Sequence, residues 1–223
     1  MRKPNYSIER GLIGGGIAPV AGVDEVGRGP LAGPVVVAAV ILNPEDLPRG
    51  VDDSKALSAI ERERLFEIIL KKAACVSLAC ASVAEIDTLN IRGATLAAMA
   101  RAVNALALRP AFALIDGRDE PPGLGCSARA VIGGDALCIS IAAASIVAKV
   151  ARDRLMRRLH RRCPDYGFDE HVGYGTPRHL EAIERHGVSP FHRLSFKPCT
   201  RRNERAAGPD AVFLKPFEIV EIS

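Results

Sequence analysis

Tryptophan is absent from this chain, and aromatic residues make up only 4% of it. A core built on stacked rings is thereby excluded. The interior must be aliphatic, made of Ala, Val, Ile and Leu, which suits an α/β protein. Long hydrophobic runs are missing too: no apolar stretch approaches the ~20 residues needed to cross a bilayer. Residues 1–16 carry charges but no sustained apolar segment ahead of their glycines, which argues against a signal peptide and for a cytoplasmic protein. Among the six cysteines there is no Cys-x-x-Cys pair, so free thiols in a reducing compartment are expected. His160, Cys163 and His171 lack a fourth partner at any standard zinc spacing. No sign of charge dominates either, since 30 Lys and Arg against 26 Asp and Glu leave a net +4. Such a balance permits a polyanionic partner without demanding one.

With 223 residues the chain can bury a sizeable core without disulfides. Residues 17–24 and 34–42 are short runs rich in Val and Ile separated by a Gly/Pro stretch, and they read as two hairpin-like strands. Ser58 with Glu61, and Ser82 with Glu85, have the spacing of capping boxes. The first opens a helix to about residue 72. The second opens a short helix, followed by a longer one over 91–106 that Pro110 terminates. Further strands are expected over 75–81, 111–116 and 128–132. A long helix should run from near Asp135 to about residue 162, and a last one over 176–185, with Pro177 in its first turn. This order implies a mixed sheet covered by helices. Residues 1–18 read as an N-terminal extension, 19–198 as the catalytic domain and 199–223 as a tail, within which 213–222 suits an edge strand.

Acidic residues fall where α/β proteins place chemistry, at strand ends and helix starts. Asp135 and Asp116 each have an ordinary alternative, as a helix cap and a turn residue. Asp24 and Glu25 are harder to explain structurally, because two adjacent carboxylates closing an apolar strand lose hydration and repel each other. Side chains alternate along a strand, so a turn at Val26-Gly27-Arg28-Gly29-Pro30 is needed for both to reach one site. Such a cluster suits a hard cation, magnesium or manganese. Gly27-Arg28-Gly29 is not a Walker loop, which needs Lys and then Ser or Thr, but it lets backbone approach a ligand beside an arginine clamp. Residues 152–162, Arg-Asp-Arg-Leu-Met-Arg-Arg-Leu-His-Arg-Arg, suit either a solvated helix end or phosphate contact.

The run from Asp24-Glu25-Val26-Gly27-Arg28-Gly29-Pro30 through Leu31-Ala32-Gly33-Pro34-Val35-Val36 resembles the opening signature of the ribonuclease HII family. The resemblance continues in order through Asp53-Ser54-Lys55, Ile115-Asp116-Gly117, Gly134-Asp135, the stretch 140–153, His171-Val172-Gly173-Tyr174-Gly175-Thr176 and His192-Arg193-Leu194-Ser195-Phe196. It implies an RNase H-like fold, with a five-stranded mixed sheet flanked by helices and a small helical C-terminal region. It also implies cleavage of the RNA strand of RNA–DNA hybrids, and nicking 5′ of single ribonucleotides in duplex DNA to leave 3′-hydroxyl and 5′-phosphate ends.

By the same resemblance Asp24, Glu25, Asp116 and Asp135 are the metal-binding catalytic carboxylates for Mn2+ or Mg2+, two ions with substrate bound. Asp153 is either an outer ligand or a partner of Arg152. Gly27, Arg28 and Gly29 map onto the family's reader of the 2′-hydroxyl, and Tyr174 onto the tyrosine that packs on the next sugar. Lys55, Lys149 and Arg193 map as phosphate contacts. Repulsion among the carboxylates is expected to raise one or more of their pKa values and to lower activity in mildly acidic buffer. A monomer acting on RNA–DNA hybrids and ribonucleotide-containing DNA, with no membrane partner, is implied. Val26 and Ala56 depart from the family's commonest residues. Two rival readings remain: another nuclease of the same fold, resolvase- or transposase-like, and a non-catalytic nucleic-acid-binding protein. All of this requires Asp116 and Asp135 to converge on Asp24.

Overall fold

The computed structural model describes residues 3–52, 54 and 57–200. The chain begins with helix α1 (Ser7–Gly14), followed by strands β1 (Val20–Val26) and β2 (Val35–Leu42). Helix α2 (Ala59–Lys72), strand β3 (Ala73–Ala81) and helix α3 (Val83–Asn104) come next. Strands β4 (Phe112–Asp116) and β5 (Ser127–Val131) precede a 3-10 turn at Gly134–Ala136 and the long helix α4 (Ile139–Arg162). Two short helices, α5 (Phe168–His171) and α6 (Pro177–His186), close the described region.

The five strands lie in the order β3-β2-β1-β4-β5. β1 pairs antiparallel with β2 and parallel with β4, so the sheet is mixed, as expected. β2 reads Val-Val-Val-Ala-Ala-Val-Ile-Leu because both its faces are covered and all eight residues are buried. On one face Val35, Val37, Ala39 and Ile41 pack with Ala94, Ala98 and Met99 of α3. On the other, Ala38, Val40 and Leu42 meet Leu65 and Ile69 of α2 and the small residues 142–144 of α4. Both capping boxes form, at Ser58 with Glu61 and at Ser82 with Glu85. α3 breaks at Asn90, where φ is +58°, and the Asn90 side chain accepts from the amides of Arg92 and Gly93. The two helices read from the sequence are therefore joined end to end through an asparagine cap.

Three placements differ from the sequence reading. Asp135 belongs to the separate 3-10 turn, and α4 begins only at Ile139. Residues 7–14 form a helix, and Glu9 within it is completely buried. Its Oε1 accepts from the Ser140 amide at 2.9 Å and the Ser140 hydroxyl at 2.6 Å, putting a carboxylate on the positive end of α4. The third difference is length, because β1 runs on to Val26 and places the turn beyond both carboxylates. Residues 213–222 lie outside the described residues.

α4 crosses β1 at Gly22, where a Cβ would run into the Ser140 carbonyl carbon and the Ile141 amide. Neither is the end of a flexible side chain, so both elements must shift to admit a methyl group. Gly22→Ala is expected to cost about 3 kcal/mol, lowering the melting temperature by roughly 5–10 °C. Thermal unfolding followed by circular dichroism measures it, and an unchanged midpoint would show that the crossing yields freely.

Candidate active site

The carboxylates gather around the C-terminal ends of β1 and β4. Val23 lies against α3, so alternation sends Asp24 to the α4 side and Glu25 back to the α3 side. The site wraps the end of the strand, which is why no turn is needed between the two. Asp24, Glu25, Asp116 and Asp135 all line one cavity of about 220 Å³, together with Ser145, Lys149 and Tyr174. Asp116 ends β4 and its Oδ1 accepts the Gly134 amide at 2.7 Å, which ties the 3-10 turn carrying Asp135 to the strand end. Gly134 is itself tightly enclosed: a Cβ there would stand 2.5 Å from Ile141 Cδ1 and 3.3 Å from Asp116 Oδ1.

Burial is the main force on Asp24. Loss of hydration, then the charges of Glu25 and Asp116, push its carboxyl well above the usual carboxylate range, against a bond from Ser145 and one from the Glu25 amide. The Glu25 carboxyl is also raised by burial, although the Arg28 guanidinium, 3.2 Å away, pulls it back. The cluster therefore stores unfavourable negative charge that a cation would relieve. Among the described residues no three His, Cys, Asp or Glu side chains form a ready-made metal cage. An open set of hard oxygens still fits magnesium or manganese, which keep several waters and complete their shell with substrate phosphate oxygens.

The Gly27-Arg28-Gly29 loop borders this cavity. Gly27 has φ +95°, and a Cβ there would collide with the Arg152 guanidinium. Gly29 faces Tyr174, whose ring edge lies 3.4 Å from where a Gly29 Cβ would stand. Arg28 points outward with its side chain 51% exposed, available to a ligand despite its contact with Glu25. Tyr174 is 46% exposed.

Arg193 does not reach solvent, and its reading as a phosphate contact is corrected. It is completely buried, and it donates to Gly27 O at 2.5 Å, Arg28 O at 2.8 Å and Gly33 O at 3.0 and 2.8 Å. Arg152, 1% exposed, does the same for Ala32 O, Pro34 O and Val172 O. Two buried guanidiniums thus turn the loop's carbonyls inward. Lys149 does line the cavity, held by Asp153 at 2.7 Å. Asp153 is thereby placed as a partner of Lys149, in a larger adjoining cleft of about 640 Å³ beside α2. Lys55 and Asp53 lie outside the described residues.

The basic stretch of α4 divides. Arg152 is interior, Arg154 and Arg157 pair with Glu63 of α2, and Arg157, Arg158, Arg161 and Arg162 are exposed. Sequence reasoning missed Ser145 and the bracing role of Arg152. A serine inside an alanine-rich helix was the available signal for the first; nothing local marks the second.

The family model described as Ribonuclease HII matches residues 21–199. The chain belongs to the ribonuclease HII family. A ribonuclease HII from Chelativorans sp. (strain BNC1) is 56% identical over 203 residues, covering 91% of this chain and 80% of that protein. One from Sinorhizobium medicae (strain WSM419) is 55% identical over 195 residues, covering 87% of this chain and 90% of the relative. Among solved structures, ribonuclease H2 from Pyrococcus horikoshii OT3 superposes with a TM-score of 0.72 at 29% identity, covering 83% of this chain and 97% of that one. Ribonuclease HII from Archaeoglobus fulgidus, solved in complex with PCNA, gives 0.70 at 32% identity, covering 81% and 96%. The protein is accordingly a metal-dependent endoribonuclease acting on RNA–DNA hybrids, with the RNase H-like fold its sheet displays. Both rival readings are thereby set aside. No helix among the described residues is long and apolar enough to cross a membrane.

Proposed function

We propose that this enzyme nicks duplex DNA 5′ of a single embedded ribonucleotide, as well as cutting longer hybrids, leaving 3′-hydroxyl and 5′-phosphate ends. The observation that carries the reading is the convergence of four carboxylates on one cavity beside the Gly27-Arg28-Gly29 loop and Tyr174. Asp24, Glu25, Asp116 and Asp135 are the groups that would hold two Mn2+ or Mg2+ ions. Such ions would supply the lowered pKa of the attacking water and the stabilisation of the leaving 3′ oxygen.

The chain's own contribution is recognition and orientation. With the Gly27 and Arg28 carbonyls held by Arg193, the backbone of Gly27 to Gly29 turns its amides toward a ligand, where the two glycines put no Cβ in the way of a ribose. A 2′-hydroxyl is both donor and acceptor, and it is the only group that separates RNA from DNA at one sugar. Arg28 offers a mobile fork to a neighbouring phosphate and Lys149 a point charge. The exposed ring of Tyr174 packs on the sugar that follows, where a 2′-hydroxyl would crowd it, so a deoxyribose is preferred there. We place the enzyme in the cytoplasm as a monomer.

The decisive assay is a DNA duplex carrying one ribonucleotide, with and without added divalent ion. Nicking on the 5′ side only with the ion, and survival of an all-DNA duplex, are expected. Tyr174→Ala should slow the single-ribonucleotide substrate about tenfold more than a long hybrid, since a displaced sugar misaligns the scissile phosphate. Equal slowing of both substrates would remove the junction role.

A further inference from the structure

Behind Tyr174, away from the carboxylates, lies a buried group of three histidines. His171 and His179 stack with ring centroids 4.4 Å apart, and His179 Nε2 stands 3.0 Å from His192 Nε2. None takes part in the chemistry above. Their partners nonetheless determine where every proton sits. His192 Nδ1 accepts from the Ser189 amide at 2.9 Å, so its proton is on Nε2 and points at His179. His179 Nε2 must therefore accept, which leaves its Nδ1–H to donate to the Tyr174 carbonyl at 2.9 Å. His171 is set independently: its Nδ1 accepts the Gly173 amide at 3.2 Å, and its Nε2–H donates to Tyr166 O at 2.7 Å. A carbonyl accepts only and an amide donates only, so one set of neutral tautomers satisfies all of these contacts.

We propose that His179 and His192 are positioning residues for the Tyr174 sensor, forming a directed relay from the Ser189 amide to the Tyr174 carbonyl that sets where the tyrosine ring meets Gly29. This rests on the junction reading of Tyr174 proposed above. The segment needs such a hold. Val172, two residues earlier, has φ +45°, a left-handed conformation that a β-branched residue adopts only when its surroundings impose it. The Arg152 guanidinium takes the Val172 carbonyl and His171 the Gly173 amide, so the His179 bond to Tyr174 O completes a fixed run of three peptide units. His192 also belongs to the strand-like bridge that opposes Ala32, which connects the relay to the far end of the sensor loop. Burial pushes both His179 and His192 down to about 4, so the relay stays neutral at physiological pH and keeps its direction.

Two measurements test this. Imidazole 15N–1H correlation spectra of the full-length chain at neutral pH should show His179 as the Nδ1–H tautomer and His171 and His192 as Nε2–H; His179 carrying its proton on Nε2 would overturn the relay. In cleavage assays, His192→Asn keeps an acceptor for the Ser189 amide but removes the donor to His179. It should slow single-ribonucleotide cleavage about fivefold relative to a long hybrid, part of the Tyr174→Ala effect. His179→Asn, whose amide still reaches the Tyr174 carbonyl, should keep the ratio close to that of the parent, whereas His179→Leu should lower it as His192→Asn does. In a Tyr174→Ala background His192→Asn should change the ratio no further. Equal slowing of both substrates by His192→Asn, or full additivity with Tyr174→Ala, would show that the histidines merely fill the core. If Tyr174→Ala itself leaves the ratio unchanged, the junction reading fails, and the relay is then decided by the tautomers alone. Should His179→Leu not fold, His192→Asn and the spectra decide the matter.

Discussion

Asp116→Asn is expected to abolish hybrid cleavage, lowering kcat by at least about 10³-fold, while leaving the fold and hybrid affinity close to those of the parent. The substitution exchanges one oxygen for an NH2 of nearly the same size. The remaining oxygen can still accept the Gly134 amide, as Asp116 Oδ1 does at 2.7 Å, so the 3-10 turn carrying Asp135 stays in place. What disappears is one negative charge from a cluster in which burial and mutual repulsion already hold Asp24 well above the ordinary carboxylate range. Removing that charge relieves Asp24, so the melting temperature should stay level or rise. Single-turnover cleavage, hybrid binding by anisotropy and thermal unfolding together check the expectation. Undiminished activity in this variant would remove Asp116 from the catalytic centre.

Arg193→Met should lower the stability of the protein substantially. The guanidinium bonds three carbonyls, those of Gly27, Arg28 and Gly33. Bonds from a charged donor contribute about 1.5–3 kcal/mol each, so their loss costs roughly 4–9 kcal/mol. Against this stands relief from burying a charge. Desolvation first, and Arg152 second, push the guanidinium down to about 10, and a departure of that size from 12.5 corresponds to about 3 kcal/mol. The bonds win. A net destabilisation of about 3 kcal/mol is expected, seen as a fall of roughly 5–10 °C in melting temperature. Arg193→Lys should recover little of it, since an ammonium cannot span three acceptors. Salt dependence separates this role from phosphate contact: a phosphate ligand would lower the salt slope of hybrid binding by about 1 and leave the melting temperature unchanged.

The strand-end acids show how much was legible without coordinates. Asp24 and Glu25 were conspicuous because two carboxylates closing an apolar run have no cheap structural explanation. The two capping boxes were legible because each is a contact between residues three apart. Glu9 was not, since the partner that explains its burial, Ser140, lies 131 residues away. Arg193 was misassigned for a related reason. An arginine in a polar-looking segment normally reaches water, and nothing near it in sequence shows that its partners are the carbonyls of residues 27–33. The histidine group was hidden likewise: its three rings come from α5, α6 and the segment after α6, and the proton positions follow only from what each ring touches.

By itself the sequence determined most of the strand and helix order, the aliphatic core and the conspicuous Asp24-Glu25 pair, all properties of side-chain type and short-range spacing, while Asp116, Asp135 and the reader role of the glycine loop came from the family resemblance. Tertiary structure alone decided that the acids share one cavity, that the loop's carbonyls are held by two buried arginines, and that the tyrosine is carried by histidines. Burial converts these groups from solvated side chains into directed hydrogen-bond partners, and burial depends on which distant segments pack together, which no local pattern records.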